Sequence, residues 1–120
     1  MKKLGLLTII LLTLATFSFA QTPTTWQGWF NLGNQQKDQY QYQDAIKSFT
    51  ECVKLSPKSP GCFANRAYVY DQIGRQDLAL PDYNYVVQLV PNDGQIYKMR
   101  GVHYHSQGKL DLALADFNKA

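Results

Sequence analysis

From Trp26 onward the chain repeats itself every 34 residues, and a period of that length dictates stacked supersecondary units in place of one closed core. The repeat shows as columns of like residues: Trp29, Phe63 and Tyr97; Gly33, Ala67 and Gly101; Ala45, Ala79 and Ala113; Phe49, Tyr83 and Phe117; Pro57 and Pro91. No insertion or deletion shifts the frame. The units are residues 26–59, 60–93 and 94–120, the last incomplete by the period.

Within each unit two segments place apolar or small residues three and four apart, as in Phe63 to Ile73 and Leu78 to Val90, which is helical spacing. Gly74 and Gly108 fall between the segments, where a helix end favours a residue tolerant of positive φ. Each unit therefore reads as a helical hairpin. The Gly/Ala/Gly and Ala/Ala/Ala columns let the paired helices approach closely, and the aromatic columns fill the space beside them. Pro57 and Pro91 close their units, because proline cannot continue a helix interior and pushes its predecessor out of α geometry.

Trp29-x-x-Leu32-Gly33, Ala45-x-x-x-Phe49 and Pro57 resemble the tetratricopeptide-repeat (TPR) pattern. Unit two adds Ala67, Tyr70, Gly74, Ala79, Tyr83 and Pro91, and unit three adds Gly101, Tyr104, Gly108, Ala113, Phe117 and Ala120. The resemblance covers nearly all of residues 26–120. It implies an all-α solenoid of stacked antiparallel hairpins, wound into a right-handed superhelix with a concave groove. It also implies a non-enzymatic scaffold or adaptor that binds a protein or peptide in that groove. Three departures qualify it. Gln36 and Tyr40 replace the usual Tyr and Gly, which predicts an irregular end to the first helix. Pro81 lies within the second helix of unit two and predicts a slight kink if Asp77 is the cap. Unit three stops seven residues short of the period, so part of the Leu112, Leu114 and Phe117 surface is expected to be exposed, for self-association or for further chain.

Residues 1–20 have the order of a secretory signal: Lys2 and Lys3, an apolar run from Leu4 to about Phe17, then Ser18-Phe19-Ala20. Cleavage after Ala20 would leave a linker, 21–25, before the repeat domain, 26–120, and would send the protein to the periplasm or outside the cell. The alternative is an uncleaved membrane anchor, although the run is shorter than the roughly 20 residues of a spanning helix and is interrupted by Thr8, Thr13 and Thr16. Two of the 12 Lys and Arg lie in this leader, leaving ten against nine acids, scattered along the chain. Nucleic-acid binding needs a clustered basic face, so none is expected.

Arg66 and Arg100 share a column usually filled by Leu, and Asp82 and Asp116 share another sixteen residues on. Unit one has Leu32 and Ser48 there. The charges come and go together, which points to structural ion pairs between packed helices, within a unit or across to the next; an arginine site for an acidic ligand is the alternative. Cys52 and Cys62 flank Pro57 symmetrically and are either a disulfide, worth about 2 to 3 kcal/mol by loop closure, or two small packing residues. Two residues apart on a helix, His103 and His105 point in different directions and make a poor metal site, better read as imidazoles beside tyrosine or solvent. No metal or cofactor is expected. Nor does any nucleophile elbow, phosphate-binding loop or HExxH suggest an enzyme.

The resemblance places ligand peptides along the first helix of each unit. The matching inward positions include Phe30, Asn31, Asn34, Lys37, Asn65, Tyr68, Asp71, Gln72, Lys98 and His105. Asn and Gln suit the backbone of an extended peptide, and Phe30 and Tyr68 suit its apolar side chains. Family members that bind chaperone tails clamp a terminal carboxylate with Lys, Asn, Asn, Lys and Arg. The matching positions here read Phe30, Asn34, Asn65, Gln95 and Met99, so a tail ligand of that kind would meet no cation.

The leader makes one expectation testable directly: expressed in a secreting host, the protein should have the intact mass of a chain beginning at Gln21. A mass that still includes Met1 would favour the anchor.

Overall fold

The computed structural model describes residues 21–120, and the leader expected at residues 1–20 lies outside them. The described residues form six helices, α1 (Trp26–Asp38), α2 (Tyr42–Leu55), α3 (Pro60–Gln72), α4 (Gln76–Leu89), α5 (Gly94–Ser106) and α6 (Leu110–Lys119). Pairs α1/α2, α3/α4 and α5/α6 form hairpins. The second helix of each packs against the first helix of the next, and successive first helices also touch.

Small residues set the spacing of the hairpins. A methyl group added at Gly33 would lie 2.6 Å from a ring carbon of Phe49, and one at Gly101 would lie 2.7 Å from Phe117. Those distances are impossible without movement, so both rings lie directly on glycine backbone. Between the hairpins, Ala45, Phe49 and Val69 form one buried cluster and Ala67, Ala79, Tyr83, Val86, Ile96 and Tyr97 the other. Fully burying a side chain of the size of Val or Phe is worth about 1.5 to 3 kcal/mol, so both clusters help to hold the units together.

The three intra-hairpin turns are alike, and the expected irregularity at the first is absent. Gln41 N–H donates to Gln36 O at 2.8 Å, just as Arg75 donates to Tyr70 and Lys109 to Tyr104. What differs is the residue at the left-handed position: Gly74 (φ 78°), Gly108 (φ 72°) and, in unit one, Tyr40 (φ 60°). A non-glycine residue pays roughly 1 to 2 kcal/mol to sit there. The cap of α4 also differs from expectation. Arg75, not Asp77, is the N-cap, and Asp77 lies in the first turn, held by the Arg75 guanidinium at 3.1 Å. Pro81 is exposed on the continuous helix, where the missing donor costs one backbone bond.

Both arginine columns form ion pairs within their own units. Arg66 Nε and Nη2 donate to Asp82 at 2.8 and 2.9 Å, and Arg100 Nε and Nη2 donate to Asp116 at 2.7 and 2.8 Å. The remaining Nη1 reaches back to the preceding unit, to Asn84 Oδ1 at 2.9 Å from Arg100 and more loosely to Thr50 Oγ1 at 3.5 Å from Arg66. Each guanidinium also lies between two aromatic rings, Phe63 and Tyr70 or Tyr97 and Tyr104, at 5.5 to 5.8 Å. Burial disfavours the Arg66 charge, but the bond and charge of Asp82 outweigh it and raise the pKa; at Arg100 the Asp116 bond dominates. In unit one Leu32 replaces the arginine, and Ser48 donates to Gln36, so the Gln36 departure belongs to the same substitution.

Cys52 and Cys62 are both buried and are joined as a disulfide, with Cα atoms 5.9 Å apart, tying α2 to α3 across the unit boundary. Among the described residues, no helix is long and apolar enough to cross a membrane.

Removing one partner of a buried ion pair should cost far more than replacing both. Asp82→Ala is expected to lose about 3 kcal/mol in urea unfolding, whereas Arg66→Leu with Asp82→Ser, the unit-one solution, should lose less than about 1 kcal/mol. Equal losses for the two variants would contradict the pairing.

Candidate functional site

The first helices of units two and three, with part of α4, border an open cavity of about 280 Å³. Helix α3 contributes Tyr68, Asp71 and Gln72; α4 contributes Gln76 and Tyr83; α5 contributes Gln95, Lys98, Met99, Val102, His103 and Ser106. Four of the residues expected in the groove, Tyr68, Asp71, Gln72 and Lys98, therefore converge on one cavity. The others do not. Asn31 and His105 are exposed away from it, and Phe30 packs against the Phe49 ring in the first core. Asn34 and Asn65 are half-buried outside it, the Oδ1 of Asn34 without a hydrogen-bond partner among the described residues, and Lys37 lines a second, smaller hollow.

A buried polar relay forms the cavity wall. His103 Nδ1 lies 2.7 Å from Asp71 Oδ1, and the Tyr83 hydroxyl donates to Asp71 Oδ2 at 3.1 Å. One carboxylate thus links the two units. The imidazole is only 1% exposed and packs beside the rings of Tyr83 and Tyr104, as expected of a tyrosine-neighbouring histidine; the bond to Asp71 was not anticipated. Its Nε2 is buried with no hydrogen-bond partner among the described residues. When Nδ1 carries the proton toward Asp71, Nε2 is left as an acceptor. Burial, and then the adjacent Asp71 charge, push the Tyr83 phenol well above the ordinary tyrosine range.

His103 was missed as a site residue although the columns held a signal. Its column reads Gln35, Val69, His103, and Val69 is fully buried against unit one, so a histidine there must also be buried against the preceding unit. Met99, Val102 and Ser106 repeat the positions of Asn65, Tyr68 and Gln72 one period on and were equally legible. His105 falls in the Asp71 column, but its side chain on α5 is exposed and does not line the cavity.

Residues 26–59 match the family model described as Tetratricopeptide repeat. Two curated relatives align with part of the chain. "Small glutamine-rich tetratricopeptide repeat-containing protein 2" of Mycosarcoma maydis is 38% identical over 50 residues, covering 42% of this chain and 14% of the relative. "Hsp70-Hsp90 organizing protein 2" of Arabidopsis thaliana is 30% identical over 59 residues, covering 43% of this chain and 10% of the relative. The chain thus spans only a small part of the length of either. Among solved structures, the first TPR of Spaghetti (RPAP3), bound to the HSP90 peptide SRMEEVD, superposes with a TM-score of 0.75 at 26% identity, over 82% of this chain and 78% of that one. The fold is therefore an all-α, TPR-type solenoid.

The relay predicts an alkaline limit. An unfolded tyrosine loses its proton near pH 10, whereas folded Tyr83 holds its proton to higher pH. Its contribution to stability is therefore complete below about pH 10 and is lost as the pH rises above that, at about 1.4 kcal/mol per pH unit. Tyr83→Phe should remove that one-proton slope from urea unfolding between about pH 10 and 11. A variant with the wild-type slope would show that another group carries it.

Proposed function

We propose that this protein is a non-enzymatic adaptor that holds a segment of a partner protein or peptide in its concave groove, with the cavity between α3 and α5 as the anchoring pocket. The observation that carries this reading is the convergence of an apolar floor with convergent polar groups. Met99, Val102 and the Tyr68 ring offer contact to an apolar side chain, Gln72 and Gln95 offer amides to an extended backbone, and Lys98 offers one cation. The peptide carried by the RPAP3 repeat domain, and the names of the two relatives, support a peptide ligand in general terms. They do not extend to the same tail chemistry. Phe30, Gln95 and Met99 occupy the clamp's cationic positions, so a ligand is expected to be gripped through an apolar side chain and its backbone, with less dependence on a terminal carboxylate. We place the protein outside the cytoplasmic membrane on the strength of the leader's composition alone.

A second reading, self-association, is favoured by the exposure of Leu110 (61%), Leu112 (50%), Leu114 (60%) and Phe117 (40%) on the last hairpin.

One series of measurements separates the two. Peptides enriched from a random library on the purified protein should bind at least about tenfold more weakly to Tyr68→Ala plus Lys98→Ala, with an unchanged Tm. Unchanged binding would exclude the pocket. Light scattering across a concentration range should show a monomer; a concentration-dependent dimer abolished by Leu114→Glu would put self-association first.

A further inference from the structure

Tyr40 is the least economical residue of unit one. Its column holds glycine in units two and three, its backbone takes the left-handed conformation those glycines take, and its side chain is 79% exposed. It belongs to neither buried cluster. A bulky residue that accepts backbone strain without gaining burial is most simply explained by what its side chain meets outside the fold.

The surroundings indicate what that is. The Tyr40 ring meets Tyr42 edge to face, with centroids 6.1 Å apart, and with Tyr68, Lys37 and Asp38 these rings border a hollow of about 220 Å³. Burial, followed by the neighbouring Tyr68 and Tyr40, raises the Tyr42 phenol pKa, as expected for rings gathered at one place. Three features of the hollow attract positive charge. The faces of the phenol rings carry negative potential. The C-terminal end of α1 carries the negative pole of the helix. The Asp38 carboxylate is 75% exposed at its edge. The protein's own Lys37 already uses this environment, its Nζ lying 5.7 Å from the Tyr68 centroid and 3.7 Å from Asp38.

We infer that Tyr40, Tyr42 and Tyr68, with Asp38, form a recognition site for the cationic side chain, arginine or lysine, of a partner polypeptide. Lys37 occupies part of the site in the free protein. An incoming guanidinium or ammonium stacks on the Tyr40 and Tyr42 rings, takes Asp38 as its counter-charge and competes with Lys37. The site shares Tyr68 with the cavity between α3 and α5, but Tyr40, Tyr42 and Asp38 lie outside that cavity, and the inference does not depend on how the cavity is used.

The test is an NMR titration of the tyrosine ring signals of the purified protein with N-acetyl-arginine methylamide, with its neutral citrulline counterpart and tetramethylammonium as comparison probes. The arginine probe should shift the signals of Tyr40, Tyr42 and Tyr68 saturably in the millimolar range, and the citrulline probe should not. Tyr40→Gly should weaken that binding at least about fivefold while raising the Tm by a few degrees, because glycine relieves the strain. Lys37→Ala should tighten it about threefold by removing the competitor. Equal responses to arginine and citrulline, or a lower Tm in Tyr40→Gly, would overturn the inference. Tighter binding of tetramethylammonium than of the arginine probe would assign the site to a small quaternary amine instead.

Discussion

Everything in this molecule depends on how closely two helices of a hairpin can approach. Phe49 and Phe117 lie flat enough on Gly33 and Gly101 that no side chain fits between them. In unit two, Ala67 opposite Tyr83 serves the same end. This approach fixes the hairpin, and the hairpin leaves one face that can be buried only by stacking the next unit on it. The buried clusters fall at those seams: Phe49 meets Val69 across the first, and Val86 meets Ile96 across the second. Each unit is stable because of its neighbours.

The Arg–Asp pairs add direction to this packing. A guanidinium that forks onto an aspartate of its own unit and sends its third nitrogen to the preceding one joins three helices, and the flanking aromatic rings keep it from turning away. Unit one, the first among the described residues, replaces these groups together: Leu32 for the arginine, Gln36 for a flanking tyrosine and Ser48 for the aspartate. The departures read singly as irregularities form one alternative solution. The disulfide between Cys52 and Cys62 lies at this same first seam, which lacks an ion pair in its leading unit.

Much of this was legible before any coordinates. The columns placed all three hairpins, and the co-occurrence of Arg66 with Asp82 and of Arg100 with Asp116 identified the pairs. The candidate site was legible only in part. Tyr68, Asp71, Gln72 and Lys98 converge, but Lys37 and His105, one period either side of Asp71, do not, because the walls of this cavity come from the seam between units two and three. The relay through His103 escaped a reading that asked only about metal spacing, since its partner Asp71 lies 32 residues away in another unit.

The chain alone therefore determined the period, the helical hairpins and the residues that let them close, because those depend on local spacing and on side-chain volume repeated in register. Tertiary structure decided which polar side chains meet. Stacking brings His103 onto the Asp71 carboxylate that Tyr83 also bonds and leaves Nε2 of the imidazole unpartnered among the described residues. It also shows that Tyr40 keeps the glycine conformation of its column while its ring stands in solvent, against Tyr42. Such encounters depend on the angle and offset between units, quantities set by the whole packed seam and by no single column of residues.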